Sequence, residues 1–505
     1  MCISSLILLP IVLFRNKIKL YAWLLLPIIL FVPSSIACMY YYHVPINDSM
    51  IIITINTNIQ EALELLVGFI IPFILLFTFI LFIYFSFVSR LKKTISFKSS
   101  IQISIISFII IISTPFLVGR ESSYSKQLKG IFYTYYPTSF FYSAGIIFKQ
   151  YITVYKNVKQ RNDFKFNSTQ SPVVSQKQVY ILVLGESSRY DHWSINGYSR
   201  NTNPKLSKKY NLIPFSNTYS NAYITEYSIP LIITGTSPEK FVDNYKQKSI
   251  LNAFKESGFK SYWISNQIDH GHISIHRDDA DKKILMLQSS KSTSNIHQDA
   301  ELLSKLQSVI DEPGDKKFII LHVQGSHYDY SVRYPNEFDK FKPSNKQIST
   351  LSNDYKSKDI IVNSYDNSVL YSDYILDSVI SMVNLKPVVS SVFFISDHGE
   401  NLFDDDRHLS QHAYPEPSKY IAHIPFFVWY SDSLNKLATS KISNLISNKN
   451  KKSSAQNLFY TYLDICGIKI PGVDTTMSLC NSKFIEKPRY ILGGGFKVYN
   501  SDSLH

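Results

Sequence analysis

The sequence predicts an α/β protein in which a group of N-terminal transmembrane helices precedes a mostly parallel sheet flanked by helices. Nearly all long apolar runs fall within residues 1–118, although 45% of the 505 residues are hydrophobic. From Val179 onward, short apolar strands alternate with helical stretches, which is the order that builds a parallel sheet covered by helices. The chain is long enough for both a membrane part and one large globular domain.

Four apolar segments are predicted to form the membrane part, residues 1–118. They are Leu20–Tyr42 and Leu63–Val88, each long enough to cross a hydrocarbon core of ~30 Å, Ile101–Val118, which is just long enough, and the shorter Cys2–Phe14. A cleaved signal peptide is the alternative for the first segment. It is disfavoured because no basic residues precede the segment and further apolar spans follow it.

The charges of the loops predict how these segments are oriented. Arg15–Lys19 and Arg90–Lys93 are short basic loops, which face the cytoplasm in membrane proteins. The loop from His43 to Glu61 has no Lys or Arg and is predicted to face outward. The N-terminus and the whole chain after Val118 are then also predicted to lie outside.

Residues 119–178 are predicted to connect the two parts, followed by a globular domain at 179–485 and a tail at 486–505. The aromatic residues of 119–150 favour helices at the membrane surface, and the polar stretch from Ile152 to Gln178 favours a linker. Cys466 and Cys480 are close enough in sequence for one disulfide, and two free thiols fit nearly as well.

The formal net charge of +13 has several explanations. Nucleic-acid binding is not predicted, because Lys and Arg are scattered and no basic stripe with interleaved aromatic residues occurs. A solvated basic surface accounts for the charge, and so does attraction to the phosphates of anionic lipids.

The globular domain is predicted to contain at least five strands. These are Val179–Leu184, Lys260–Ile264, Phe318–Val323, Ser391–Ser396 and Pro425–Trp429, with helices at Ser249–Ser257, Asp299–Ile310 and Val369–Val383. Several strands lack polar alternation, as strands buried on both faces do. Functional side chains of such sheets gather beyond the carboxyl ends of the strands, so the residues directly after each strand are the candidates for a site.

Three of these strand ends carry carboxylates or imidazoles. Glu186 follows the first strand, His327 the third, and Asp397 and His398 the fourth. This is a set of ligands suited to zinc or manganese. Singly, Glu186 could cap a helix, Asp397 could cap a turn and His327 could be a buried structural histidine. Their coincidence at successive strand ends favours a metal site.

The residues around these strand ends resemble the motifs of bacterial phosphoethanolamine transferases, which belong to the alkaline phosphatase/sulfatase superfamily. The matching stretches are Gly185–Arg189 with Asn196–Pro204, Ser326–His327 with Arg333–Pro335, Tyr365–Ser368 through Tyr371–Asp373, Ser396–Asn401, and His423–Pro425. They occur in the family's order and cover residues 165–480 closely. The resemblance implies transmembrane helices followed by a periplasmic sulfatase-like domain.

The resemblance also implies a zinc site and a nucleophile. It makes Glu186, Asp397 and His398 zinc ligands, together with a threonine that attacks phosphorus. Thr225 fits this role, because Thr225–Pro230 matches the family's threonine and the proline that follows it. A hydroxyl is a weak nucleophile at neutral pH, and metal coordination lowers its pKa. An inert structural threonine is the alternative.

Further residues are implied around the reacting phosphate. His327 and His412 resemble the family's phosphate-binding histidines, which steady the phosphoryl group or protonate the leaving alkoxide. His408 is a rival to His412, because Arg407–His412 departs from the family's usual Leu-His-Gly. In the outward loop, Thr57 and Glu61 resemble the residues that hold the donor, although an N-cap with an acidic first turn explains them too.

This chain departs from the family's pattern in three further places. Ile53 stands where the family often has an asparagine. The family usually has five membrane helices and a cytoplasmic N-terminus, so we expect its first helix to be absent from this chain. Lipid A-modifying members carry several disulfides in the soluble domain, and the two cysteines available here favour a relative of the lipopolysaccharide-core type.

The resemblance implies a multi-pass inner-membrane enzyme with a periplasmic catalytic domain. It would transfer phosphoethanolamine from phosphatidylethanolamine to lipopolysaccharide, at a core sugar or lipid A, through a phosphothreonine-type intermediate. The alternatives are a phosphoglycerol transferase or another phosphodiesterase of the superfamily, and a non-catalytic membrane accessory protein. A formylglycine sulfatase is disfavoured because Ser228–Ile232 lacks the required arginine.

Overall fold

The computed structural model describes residues 2–41, 44–56, 70–118, 134–172, 174–268, 271–289, 298–348, 355–412 and 414–505. These residues divide into two compact units, one that ends at Tyr151 and one that runs from Ile152 to His505.

The first unit is helical. Its helices are Cys2–Leu8, Ile18–Leu24, Leu26–Leu30, Val32–Tyr41, Asp48–Asn56, Ile70–Arg90, Phe97–Val118 and the first part of Thr138–Arg161. Within the described ranges, Ile70–Arg90 is long and apolar enough to cross a membrane, and the bent pair Ile18–Leu24 and Leu26–Tyr40 is a second span if its halves count as one. Only 6% of the apolar window in Ile70–Arg90 is buried, a surface that suits lipid better than water.

The segment predicted as one span at Leu20–Tyr42 is broken in the structure. Breaks fall at Leu25 and Phe31, and the first is a bend of 42°. Pro27 and Pro33 each lie in the first turn of the helix after a break. Proline is tolerated there because its missing N–H has no partner in a first turn. Apolar length alone could not reveal these breaks, and the predicted multi-pass topology stays a prediction.

The second unit is built on a seven-stranded sheet. Its strands are β1 (Gln178–Gly185), β2 (Leu212–Phe215), β3 (Lys260–Ser265), β4 (Lys282–Leu285), β5 (Lys316–His322), β6 (Val389–Ser396) and β7 (Phe426–Tyr430). Across the sheet the order is β2-β7-β6-β1-β5-β3-β4. Among the seven described strands, β7 runs opposite to the other six, so the prediction of a mostly parallel sheet is confirmed.

Both faces of β1 are covered by hydrophobic core. Tyr180, Leu182 and Leu184 belong to one core cluster, and Val179, Ile181 and Val183 belong to the other. Helices Thr225–Thr234, Ile250–Glu256, Thr439–Asn448 and Asn457–Ile465 contribute to the first cluster, and Ala300–Asp311 and Lys358–Asn384 contribute to the second. A strand buried on both faces has no polar side to alternate with, which explains the continuous apolar run.

Shorter elements complete the second unit. They include the helices Gly271–Arg277, Met286–Ser289, Lys419–Ala422 and Asp432–Leu437. Where the sequence suggested a linker, the helix Thr138–Arg161 ends in a buried ion pair between Arg161 and Asp279. Where it suggested a tail, strands Tyr490–Leu492 and Val498–Asn500 form an antiparallel hairpin. Cys466 and Cys480 are buried free thiols in the first core cluster.

Candidate metal and nucleophile site

The carboxyl ends of the neighbouring strands β1 and β6 bring three predicted ligands together. Gly185 pairs with Ser396 at the end of the two strands, so the next residues, Glu186 and Asp397, lie side by side. Ligand atoms of Glu186, Asp397 and His398 all lie within 4.8 Å of one another, and the three side chains are fully buried.

Asp397 presents a buried oxygen toward this cluster. Its Oδ1 accepts hydrogen bonds from the backbone N–H groups of Ser187 at 3.0 Å and of His398 at 2.7 Å. Its Oδ2 accepts no hydrogen bond within the part of the chain that the structure describes, and it lies 3.3 Å from Nε2 of His398. Burying a carboxylate oxygen without a donor is costly, and a metal ion would satisfy it.

His398 is held in the orientation of a metal ligand. Its Nδ1 lies 2.8 Å from the carbonyl oxygen of Gly399. Donation from Nδ1 leaves the lone pair of Nε2 facing the carboxylates, as in histidines that bind metals. Burial alone would lower the pKa of His398, but Asp397, Glu186 and Glu400 together raise it above its ordinary value. A divalent cation would compensate the same concentration of negative charge.

Thr225 places its hydroxyl at the mouth of the cluster. The Oγ1 atom lies 3.2 and 3.1 Å from the two carboxylate oxygens of Glu186 and 3.2 Å from Nε2 of His398. Thr225 is the first residue of the helix Thr225–Thr234 and is half-buried, whereas the ligands are inaccessible. A helix N-terminus favours negative charge, so this position suits both an attacking alkoxide and a phosphoryl group.

Side chains on both sides of the Thr225 helix fix it to the site. The hydroxyl of Ser228 donates to the backbone carbonyl of Asp397 at 2.6 Å. On the other side, the carboxylate of Glu226 accepts from the backbone N–H of His272 at 2.6 Å. A Cβ at Gly271, whose φ is +52°, would lie 2.3 Å from Oε1 of Glu226, so glycine is required for this contact.

His412 lies beside the cluster, and a buried carboxylate supports it. Its ring centroid is 4.3 Å from that of His398, and its Nδ1 is 3.0 Å from Oε1 of Glu400. Burial, with a further contribution from His398, lowers the pKa of His412 to about 3, so its ring is neutral at pH 7. Burial raises the pKa of Glu400 to about 8. Glu400 lies within the matching motif Ser396–Asn401. The sequence indicated no role for it.

The other two histidines occupy different surroundings. The backbone N–H of Ser326 donates to the carbonyl of Glu186 at 3.1 Å, which brings His327 to the site. Burial lowers the pKa of His327 to about 4, so it is also neutral at pH 7. His408 is exposed, and its ring stacks on Tyr355 with centroids 3.8 Å apart. Of the two rivals, the structure therefore places His412 beside the cluster.

The predicted donor-binding residues Thr57 and Glu61 lie outside the described residues.

Gln267 belongs to the site but was not predicted. Its Nε2 donates to Oε2 of Glu186 at 3.1 Å and to the carbonyl of Val323 at 2.7 Å. It follows the end of β3, so the rule applied to the other strand ends would have found it. The pattern that indicated the metal ligands consists of carboxylates and imidazoles, and an amide that orients a ligand does not belong to it.

We expect Gln267→Ala to weaken metal binding at this candidate site by about 10- to 100-fold, because partners that orient a metal ligand typically contribute that much. Competition with a chelating dye would measure the affinity. Gln307→Ala is the matched control, since Gln307 donates to Asp311 at 2.7 Å on the surface. Equal affinities in the two variants would contradict the role given to Gln267.

Comparison with known proteins places the chain among phosphate-transferring relatives. Residues 178–468 match the model of the Sulfatase family. The chain is 26% identical to the phosphoethanolamine transferase EptC of Escherichia coli (strain K12) and 27% identical to the phosphoethanolamine transferase CptA of Salmonella typhimurium, and each match covers 97% of this chain and 87% of the relative. The resemblance found from the motifs is confirmed.

Solved structures show the same architecture. The C-terminal periplasmic domain of EcEptC from Escherichia coli, in complex with Zn, superposes with a TM-score of 0.59 at 27% identity, over 67% of this chain and 96% of that domain. The integral membrane protein lipooligosaccharide phosphoethanolamine transferase A (EptA) from Neisseria meningitidis gives a TM-score of 0.76 at 22% identity, over 90% of this chain and 86% of EptA. The second likeness is one of fold alone, and the predicted fold class is confirmed.

Proposed function

The chain belongs to the sulfatase family, and on that premise we propose that it transfers phosphoethanolamine from phosphatidylethanolamine to a lipopolysaccharide acceptor. Relatives that match along nearly the whole chain are phosphoethanolamine transferases. A relative of 30% identity over 54% of this chain is the Kdo(2)-lipid A phosphoethanolamine 7''-transferase of Escherichia coli (strain K12). The acceptor we propose is a core sugar or lipid A.

The observation that carries the proposal is the position of the Thr225 hydroxyl. Its oxygen lies 3.1 to 3.2 Å from atoms of Glu186 and His398, at a helix N-terminus and at the accessible end of an otherwise buried cluster. A threonine with only a structural role has no need of two ionisable partners at this distance. An accessible hydroxyl beside metal ligands is the arrangement of an activated nucleophile.

Glu186, Asp397, His398 and Thr225 would hold a zinc ion. Two carboxylates, one imidazole and one hydroxyl oxygen make a four-coordinate set of the kind zinc accepts. When bound, zinc lowers the pKa of a coordinated hydroxyl and stabilises negative charge on phosphoryl oxygens. The periplasmic domain of EcEptC was solved in complex with Zn, which supports zinc as the metal.

In the first half of the proposed reaction, Thr225 displaces diacylglycerol. The Oγ1 of Thr225 forms a bond to phosphorus while the bond from phosphorus to the glycerol oxygen breaks. The threonine loses its proton, and the leaving oxygen takes one up. His327 and His412 are neutral at pH 7, so each imidazole can donate an N–H hydrogen bond to a phosphoryl oxygen. One of them can also take up the proton that Thr225 loses and then give it to the leaving oxygen.

In the second half, a hydroxyl or phosphate of the acceptor attacks the same phosphorus. The bond between phosphorus and Thr225 breaks, and the hydroxyl of Thr225 is restored. We propose Thr57 and Glu61 as the residues that hold the donor. We also propose that the chain is a multi-pass inner-membrane protein whose catalytic domain faces the periplasm, as the charges of its loops predict.

Mass spectrometry of envelope lipids would test this function. We expect expression of the chain in a Gram-negative host without phosphoethanolamine on its lipopolysaccharide to add about 123 Da, the mass of one transferred group. A host with the empty vector is the control. No adduct, despite membrane expression, would contradict the transfer, and a phosphoglycerol adduct would assign a different donor.

A further inference from the structure

The hairpin Tyr490–Asn500, here called the C-terminal hairpin, is bonded to the segment that precedes the Thr225 helix. The backbone N–H of Leu492 donates to the carbonyl of Asn221 at 2.9 Å, and the N–H of Tyr223 donates to the carbonyl of Leu492 at 3.2 Å. Ala222 and Leu492 form a parallel bridge. Tyr223 stands two positions before Thr225, so this strand of the hairpin fixes the start of the helix that carries the nucleophile.

The turn of the same hairpin is bonded to the segment that follows His412. The backbone N–H of Gly494 donates to the carbonyl of Pro415 at 3.0 Å, and the hydroxyl of Tyr499 donates to the same carbonyl at 3.3 Å. A Cβ at Gly493 would lie 2.7 Å from Cε2 of Tyr499 and 3.1 Å from the oxygen of Pro415. The turn and the loop therefore touch so closely that a side chain has no room between them.

His412 lies between two anchored residues. On its N-terminal side, Gln411 pairs with Asn401, and the side-chain amide of Asn401 donates to the carbonyl of Gln411 at 2.6 Å. On its C-terminal side, the hairpin holds Pro415. Loss of the second anchor would release Pro415 from the hairpin and leave the contacts of Gln411 with Asn401 and of His412 with Glu400.

We propose that the C-terminal hairpin is a positioning element that sets the separation between Thr225 and His412. One strand holds the segment before the nucleophile, and the turn holds the segment after the histidine. The inference rests on the proposed function, in which both residues face the reacting phosphate. A displacement of about 1 Å in such a pair lowers a rate by about 100-fold, so contacts far from the chemistry have a large effect on it.

The first test is a set of variants in the hairpin of the full-length protein. Gly493→Val forces a side chain between the turn and Pro415, and we expect kcat to fall by about 10- to 100-fold with KM for the donor and zinc content unchanged. Tyr499→Phe is the milder variant, which removes one hydrogen bond and keeps the ring. Tyr490→Phe is the matched control, because the hydroxyl of Tyr490 makes no hydrogen bond with any described residue.

A double-mutant cycle shows whether the hairpin acts through His412. If it does, Gly493→Val should change kcat by less than about twofold in a His412→Ala background, because the effects of coupled residues are not additive. An equal loss of kcat in both backgrounds would overturn the proposal. A fall in thermal stability or zinc content that accounts for the whole loss would also overturn it.

Hydrogen exchange supplies a measurement that does not depend on turnover. Amide exchange in the segment around residues 410–418 should rise in Gly493→Val and Tyr499→Phe and stay unchanged in Tyr490→Phe. Unchanged exchange in all three would show that the hairpin does not hold this segment. Absence of transfer by the wild type would contradict the proposed function instead, and the exchange result would still decide what the hairpin holds.

Discussion

Replacement of Thr225 by alanine is expected to lower the rate of phosphoethanolamine transfer by about 1000-fold or more, because removal of a nucleophile abolishes the covalent step that it carries. Zinc should remain bound, since Glu186, Asp397 and His398 stay in place. Mass spectrometry of the modified lipids and of the protein would show both effects. The adduct on residue 225 should be absent in Thr225→Ala and present in the wild type.

Two further variants separate the chemistry from the fold. Thr225→Ser keeps a hydroxyl at the helix N-terminus and should keep most of the activity. Thr218→Ala removes a buried hydroxyl that pairs with Ser453 at 2.8 Å, so it should cost about 1 kcal/mol of stability and little activity. Transfer by Thr225→Ala at the wild-type rate would show that another residue is the nucleophile.

Replacement of Asp397 by asparagine is expected to abolish the proposed zinc site. The variant loses the charged Oδ2 oxygen, so zinc affinity should fall by more than about 100-fold, beyond the loss typical of residues that only orient a ligand. Zinc at 100 times its dissociation constant stabilises a folded protein by about 2.7 kcal/mol, and the variant should lose most of this. Metal analysis and thermal unfolding with and without zinc would measure both effects.

In the metal-free state, the same substitution should affect stability in the opposite direction. Asp397 and Glu186 are buried together, and like charges in one site destabilise each other. Without zinc, Asp397→Asn should therefore be at least as stable as the wild type. Asp377→Asn is the control, because Asp377 pairs with Lys209 at 2.7 Å near the surface. A zinc content of Asp397→Asn equal to that of the wild type would show that Asp397 is not a zinc ligand.

The sequence predicted the elements whose local pattern matches their surroundings. The five predicted strands correspond to β1, β3, β5, β6 and β7, and all five carry at least five consecutive buried residues in the sheet. Strands β2 and β4 were not predicted. Leu212–Phe215 contains Pro214, and Lys282–Leu285 begins with two lysines. Both are edge strands, whose short length and polar residues suit a sheet margin but give a weak pattern.

The residues of the candidate site were also predicted only in part. Residues that follow strand ends were found by position along the chain, whereas the contacts that orient them depend on tertiary structure. Neither motif nor spacing could decide between His408 and His412. The choice depends on the stacking of His408 with Tyr355 and on the contact of His412 with Glu400. Tertiary packing determines the positions of Tyr355 and Glu400.

The neighbouring positions of β1 and β6 have a consequence for the order of assembly. Three of the four proposed ligands follow one pair of adjacent strands, so pairing of these strands alone gathers Glu186, Asp397 and His398. Thr225 arrives separately, on a helix that must dock onto the sheet. Under the proposed function, a chain that has formed its sheet but not its outer layer would already hold three metal ligands while it lacked the nucleophile. Metal binding would then precede catalytic competence.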